Sequence, residues 1–403
     1  MTEWPEFPRE FVLLAACCRW PVDRDRVRAV AAGPIDWGAF VRIAHRHRVL
    51  AMTHHAASLA GLPMPADVTA SLASAAREIA WQNLAYARES VRLRDVFESA
   101  GIPILFLKGV VLAQAAYGTL TLKQGRDIDV VVRAADVPSA VRIMEAEGFA
   151  SADSARRLSP AQIGALVSYG SQIEFTRNGG RIRVELHWHL AGNPHLLRGL
   201  DPFVRPMTVL VPGVGTLRTL PPDDLFAYLC VHGAGHFWSR LKWLADLDAG
   251  LAGMDGPGLE RLYRHAERLG AGRCAGQALL LCHRLLGRVP PPALVHALAA
   301  DRHVTRLVTT AVFRMNGADP SPSKPGHTMR TLRNMAEPFR LGRGLRFFVT
   351  QTRILLIGTA DAIHWPLPPA LAFLYPLLRV PLWLWRQAVR FRSAQPIETP
   401  HRR

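Results

Sequence analysis

Apolar residues recur at three- and four-residue spacing over Phe11 to Cys18, Trp37 to Leu59 and Ala66 to Ala100, with no internal proline, which predicts helices. The pattern changes at Gly101. Ile102 to Leu107 is a short apolar run that reads as a buried strand. Gly109 opens a helical stretch to Tyr117, and a Gly/Thr-rich loop leads to the strand-like run Asp127-Ile-Asp-Val-Val-Val132. Asp136 is placed to cap a helix ending near Gly148. Ser171 to Phe175 and Arg181 to His187 then form a predicted hairpin, with Asn178-Gly179-Gly180 as its turn. Past a loop holding Pro212, Pro221 and Pro222, helical spacing returns over Leu225 to Trp238, Leu241 to Leu251, Leu259 to Leu269 and Gln277 to Leu286.

This order predicts a mostly helical α+β protein in four parts. Residues 1–100 form an N-terminal helical region, 101–220 an α/β core, 221–315 a helical bundle, and 316–403 a proline-rich loop followed by an apolar segment. No solenoid-length repeat is present, and disorder is expected from Gln395 onward.

With 403 residues and 49% hydrophobic content, the chain can build a sizeable core. Its net charge of +17 comes almost wholly from arginine, since the lysines are only Lys108, Lys123, Lys242 and Lys324. The arginines are scattered along helices, so the charge favours anionic ligands without marking a nucleic-acid surface. Cys17, Cys18, Cys230, Cys274 and Cys282 are odd in number and lack C-x-x-C spacing, which excludes a disulfide framework and a cysteine-rich zinc site. Glu3 and Glu6 stand where an export signal would carry basic residues, and a cytoplasmic location is expected. Residues 363–385 are apolar, but five prolines and Arg379 interrupt them. Core packing or peripheral membrane contact is expected there, not a span.

The chemistry concentrates in the α/β part. Alternation along a strand puts Asp127 and Asp129 on one face and Ile128, Val130 and Val132 on the other. Paired carboxylates repel unless a cation neutralises them, and hard divalent ions prefer oxygen. Glu185, His187 and His189 share a face of Val184-Glu-Leu-His-Trp-His189, with Val184, Leu186 and Trp188 on the buried face. Three carboxylates on two strands match what two-metal phosphoryl chemistry needs. The turn at Lys108-Gly109 places backbone N–H groups at a helix start, where phosphates bind. Lys123 and Arg126 could neutralise a triphosphate. His232 and His236 lie four apart and, with Lys242, could border a substrate pocket; Asp246 could orient one of the histidines, face solvent or cap a helix.

Three ordered segments, PILFLKGVVLAQAAYGTLTLKQGRDIDVVV, VELHWHL and LCVHGAGHFWSRLKWLADLDAGL, resemble the uncharacterised nucleotidyltransferase family of the polymerase-β-like superfamily, over roughly residues 40 to 390. The resemblance implies a minimal nucleotidyltransferase core, a short mixed sheet with helices, between helical flanks. It implies that Asp127, Asp129 and Glu185 are catalytic and hold Mg²⁺ (or Mn²⁺), and that Lys108, Gly109, Lys123 and Arg126 bind the nucleotide. An NTP would be one substrate; the acceptor could be a small molecule, a protein or RNA. Two departures stand out. The superfamily's glycine-serine pair reads Lys108-Gly109-Val110, and the third carboxylate is Glu185 where Asp is usual. They leave two alternatives: a non-catalytic nucleotide-binding accessory protein, including one in a peptide natural-product pathway, and a metallohydrolase using His187, His189, His232 and His236.

Overall fold

The computed structural model describes residues 7–151, 157–317 and 335–357, with scattered positions between 365 and 381. The segments expected to be a proline-rich loop and a disordered tail lie outside the described residues, as does most of 363–385. Among the described residues no helix is long and apolar enough to cross a membrane.

The chain opens with α1 (Arg9–Cys17), α2 (Arg24–Ala31), α3 (Trp37–His47) and α4 (Leu50–Ala60). The single helix expected over 37–59 is therefore two. Arg48 adopts a left-handed φ of 57°, and the buried His47 imidazole accepts a hydrogen bond from the Leu241 N–H at 2.9 Å. That tertiary anchor turns the chain where local spacing alone would continue it. Helix α5 (Ala66–Ser99) then runs 34 residues, about 51 Å at the usual rise.

The α/β part comprises β1 (Leu105–Phe106), α6 (Val110–Tyr117), β2 (Ile128–Val131), α7 (Val137–Ala146), β3 (Ala150–Ser151), α8 (Pro160–Tyr169), β4 (Gln172–Arg177) and β5 (Ile182–His187). The sheet order is β1-β2-β5-β4-β3. β2 and β5 pair in parallel, and the other neighbours are antiparallel. Asn178, Gly179 and Gly180 all have positive φ and close the β4–β5 hairpin. Asp136 does not cap α7 with its side chain; a short 3₁₀ turn precedes the helix instead.

A second hairpin, β6 (Met207–Val211) with β7 (Gly215–Thr219), occupies what reads in the sequence as loop. Its strands are short and lie among prolines, and their apolar residues reach the core only at alternate positions, Val209, Val211 and Leu217. The helices that follow are α9 (Pro222–Gly235), α10 (Leu241–Gly250), α11 (Gly256–Arg268), α12 (Gly272–Leu281), α13 (Pro292–Ala300), α14 (Arg302–Asn316) and α15 (Leu345–Leu356).

Two hydrophobic clusters hold these elements. One packs the sheet against α7, α8 and the C-terminal half of α5, through Tyr86, Leu93 and Phe97. The other joins α1 to α4 with α9 to α14, so the helices before and after the sheet share one core. Val68, Leu72 and Ile79 of α5 belong to this second cluster, and the long helix ties the two together. The five cysteines are free and buried within it.

Candidate active site

The site forms where β1, β2 and β5 meet the faces of α9 and α10. Between β1 and α6 the chain turns at Gly109, with φ 63° and ψ −127°. A side chain there is strained, and an added Cβ would meet the Asp127 carbonyl oxygen at 3.4 Å. The loop from 118 to 127 is held by α5. The buried Asn83 amide donates to the carbonyls of Leu120 and Lys123, each at 2.6 Å, and the Tyr86 hydroxyl donates to the Arg126 carbonyl at 2.9 Å.

Parallel pairing sets Asp129 directly beside Glu185, and Val130 beside Leu186. The carboxylates therefore share one face while the apolar pair enters the core. His187, two residues beyond Glu185, returns to the carboxylate face. Its Nε2 lies 3.4 Å from Asp129 Oδ1 and 3.5 Å from Glu185 Oε2. Lys108 Nζ reaches Asp129 Oδ1 at 2.6 Å. Asp127 sits just ahead of β2 and lines the same cavity as Asp129 and Glu185.

Electrostatics separate the two aspartates. Burial alone would raise the Asp129 carboxyl, but Lys108 and His187 outweigh it and hold Asp129 below the usual carboxylate range. Burial raises Asp127, and neighbouring Asp129 raises it further. Lys108, whose burial favours the neutral amine, is instead kept firmly protonated by Asp129, Tyr228 and Asp127.

The facing wall carries His232 on α9 and His236 at its C-terminal end, with ring centroids 4.6 Å apart. His236 stacks on Trp243 at 4.8 Å and 21°. α9 packs so closely here that a Cβ on Gly233 would collide with the Trp238 indole. Lys242 is pushed down to about 7, first by burial and then by Lys123. Burial likewise holds His232 well below the ordinary imidazole value, and so neutral.

Most of the residues expected at the site line one cavity of about 350 Å³: Asp127, Asp129, Glu185, Lys108, Gly109, Lys123, His232, His236 and Lys242. His187, His189 and Arg126 are not among its lining residues, whereas Lys123 and Asp246 are. His189 is exposed and apart from this cavity, because β5 ends at His187 and the alternation stops with it. Arg126 is exposed, and its carbonyl accepts from Tyr86 on α5. Lys123 is already engaged by Asp246 at 3.1 Å. Asp246, 4% exposed, neither orients a histidine nor faces solvent; it accepts from the Tyr117 hydroxyl at 3.0 Å. Trp188 is buried, with its Nε1 donating to the Gly170 carbonyl, so it acts as core. Sequence reasoning missed Arg48 and Arg240, which also line the cavity. No spacing signal marks them, because each arrives from a chain turn remote from the sheet.

The donor set fits a divalent cation. Asp129, Glu185 and His187 each offer one ligand atom, all within 4.8 Å of one another, and among the described residues this is the group of three or more that can hold a metal. Two carboxylates with one imidazole form a mixed oxygen–nitrogen donor set of the kind divalent ions accept. The tight cluster contains two of the three expected carboxylates together with His187, and Asp127 lines the cavity that Asp129 and Glu185 share. His187, His189, His232 and His236 do not converge as one ligand set.

A glycine turn between strand and helix, facing carboxylates on adjacent parallel strands, defines a nucleotidyltransferase-like site. A family model described as an uncharacterised nucleotidyltransferase matches residues 33–287, more than half of the chain, and the protein belongs to that family. No curated protein matches it. The matched segment ends within the helices after the sheet, so α13, α14 and α15 lie beyond it.

Proposed function

We propose that the protein transfers a nucleotidyl group from an NTP to an acceptor hydroxyl, using Mg²⁺ or Mn²⁺, in the cytoplasm. The observation that carries this reading is the register of Asp129 beside Glu185, with Asp127 two residues upstream and the Gly109 turn in the same cavity. The acceptor oxygen attacks the α-phosphorus, an O–P bond forms as the Pα–O–Pβ bridge breaks, and pyrophosphate leaves. The hydroxyl proton passes to a carboxylate at the site or to solvent. Asp129, Glu185 and His187 would hold the cation, which supplies Lewis acidity and charge neutralisation at the phosphate. Gly109 lets phosphate approach the backbone at the start of α6, and Lys108 and Lys242 supply positive charge on either side.

Incubation with labelled NTP and a cell lysate, followed by detection of transferred label, tests the reaction. Asp129→Asn and Glu185→Gln are each expected to reduce transfer by at least about a hundredfold, as loss of a metal-site carboxylate commonly does. Undiminished transfer by Asp129→Asn would rule the mechanism out.

One observation favours a second reading, a nucleotide-binding accessory protein. Lys108 is committed to Asp129, and Val110 supplies no hydroxyl for phosphate. Calorimetric binding of Mg²⁺–ATP without pyrophosphate release would select this reading.

A further inference from the structure

A second cavity, of about 280 Å³, lies against the first, and His232 and His236 line both. Its other walls come from the end of β5, the loop after it, and α15. His187 and Gln172 connect it to the carboxylates: His187 Nε2 is 3.4 Å from Asp129 Oδ1, and Gln172 Nε2 donates to Glu185 Oε2 at 3.4 Å. The α15 wall is fixed by the buried Asn193 amide, which donates to the Gln351 side chain at 3.1 Å and to the Phe347 carbonyl at 3.3 Å.

The composition of this cavity differs sharply from that of its neighbour. The first cavity carries Arg, Lys, Asp and Glu side chains. In a chain of net charge +17, the second has no Lys, Arg, Asp or Glu among its described lining residues. Its polar groups are the hydroxyls of Ser171 and Tyr228, the amides of Gln172, Asn193 and Gln351, and imidazoles. A charged ligand would lose hydration there and meet no Lys, Arg, Asp or Glu of the lining, while the His187 imidazole is already turned to Asp129 and Glu185, so the exchange is unfavourable. Hydroxyls, amides and imidazoles both donate and accept, and so match ligand groups that do the same.

We infer that this cavity binds the acceptor, and that the acceptor is a small, neutral, hydroxyl-bearing molecule. The inference rests on the nucleotidyl-transfer reading only for the word acceptor; the selectivity of the cavity stands without it. NTP and acceptor then approach the carboxylates from two sides of the His232–His236 pair. Gln351 and Ile354 of the α15 wall are carried by a helix outside the family-matched segment.

Saturation-transfer NMR on the full chain, without NTP or metal ion, tests the cavity directly. The probes are D-glucose, myo-inositol and N-acetyl-L-serinamide, with glucuronate and glucosamine as charged counterparts. At least one neutral probe is expected to respond and the charged ones not. His189→Ala, at an exposed rim position, and Ile354→Trp, which fills the cavity, are each expected to weaken the response by at least about threefold while thermal melting is unchanged. Silence from every neutral probe, equal response from charged ones, or a response that survives Ile354→Trp overturns the inference. Undiminished label transfer in Asp129→Asn overturns the nucleotidyl-transfer reading alone and leaves the NMR result standing.

Discussion

Asp129 is buried between an ammonium on one side and a carboxylate and an imidazole on the other. Removing its charge leaves Lys108 buried without its partner. Asp129→Asn therefore loses transfer and some stability together, whereas Glu185→Gln, at a more open position, separates the two effects. Lys242 supplies a test by pH. Its ammonium is depressed to about 7 from the ordinary lysine value of 10.5. Between those values the native state binds fewer protons than the unfolded chain, so this group makes stability rise with pH across the window. Below about pH 7 its full penalty remains. Lys242→Met is expected to flatten the rise of the urea midpoint between pH 7 and pH 10 and to unfold at higher urea than the native sequence at pH 6.

At the scale of elements, the turn from β1 into α6 is the most constrained segment. Gly109→Ala is expected to cost about 1–3 kcal/mol, because its backbone lies in a region that favours glycine. Thermal melting checks the stability, and label transfer should fall with it as the backbone retreats from the phosphate path. Elements of this kind were legible in the sequence where one local signal sufficed. Asn178-Gly179-Gly180 announced the β4–β5 hairpin, and the uninterrupted apolar period announced α5. Asp127-Ile-Asp129 announced carboxylates bordering one cavity. Elements shaped by distant partners were not legible. The break at Arg48 depends on His47 meeting Leu241, the roles of Lys123 and Asp246 depend on each other across more than a hundred residues, and β6–β7 pairs two strands too short to show a period. The place of His187 could not be read either, since alternation put it on the right face without saying that its ring would close on Asp129.

At the scale of the whole molecule, helices from both ends of the described chain pack into one cluster around which the sheet is hung. Phe347 of α15 is 1% exposed and lies so close to Gly342 that no Cβ would fit there. Phe347→Ala is expected to cost about 3–5 kcal/mol and to release α15 from the loop holding Asn193. Limited proteolysis should then cut within 335–357 well before the rest of the chain. The fold class and the family follow from features of the first 287 residues, while α15 adds a wall that the family pattern does not describe.

The ammonium of Lys108 cannot serve two anions at full strength. While it rests on Asp129 it half-silences the carboxylate that a divalent ion would seek, and a triphosphate offers it somewhere else to go. On the proposed reading, each arrival would then prepare the place for the other. Thermodynamic reciprocity then requires that the factor by which nucleotide tightens the ion equal the factor by which the ion tightens nucleotide. A lone side chain, acting through charge, would thereby couple nucleotide to ion.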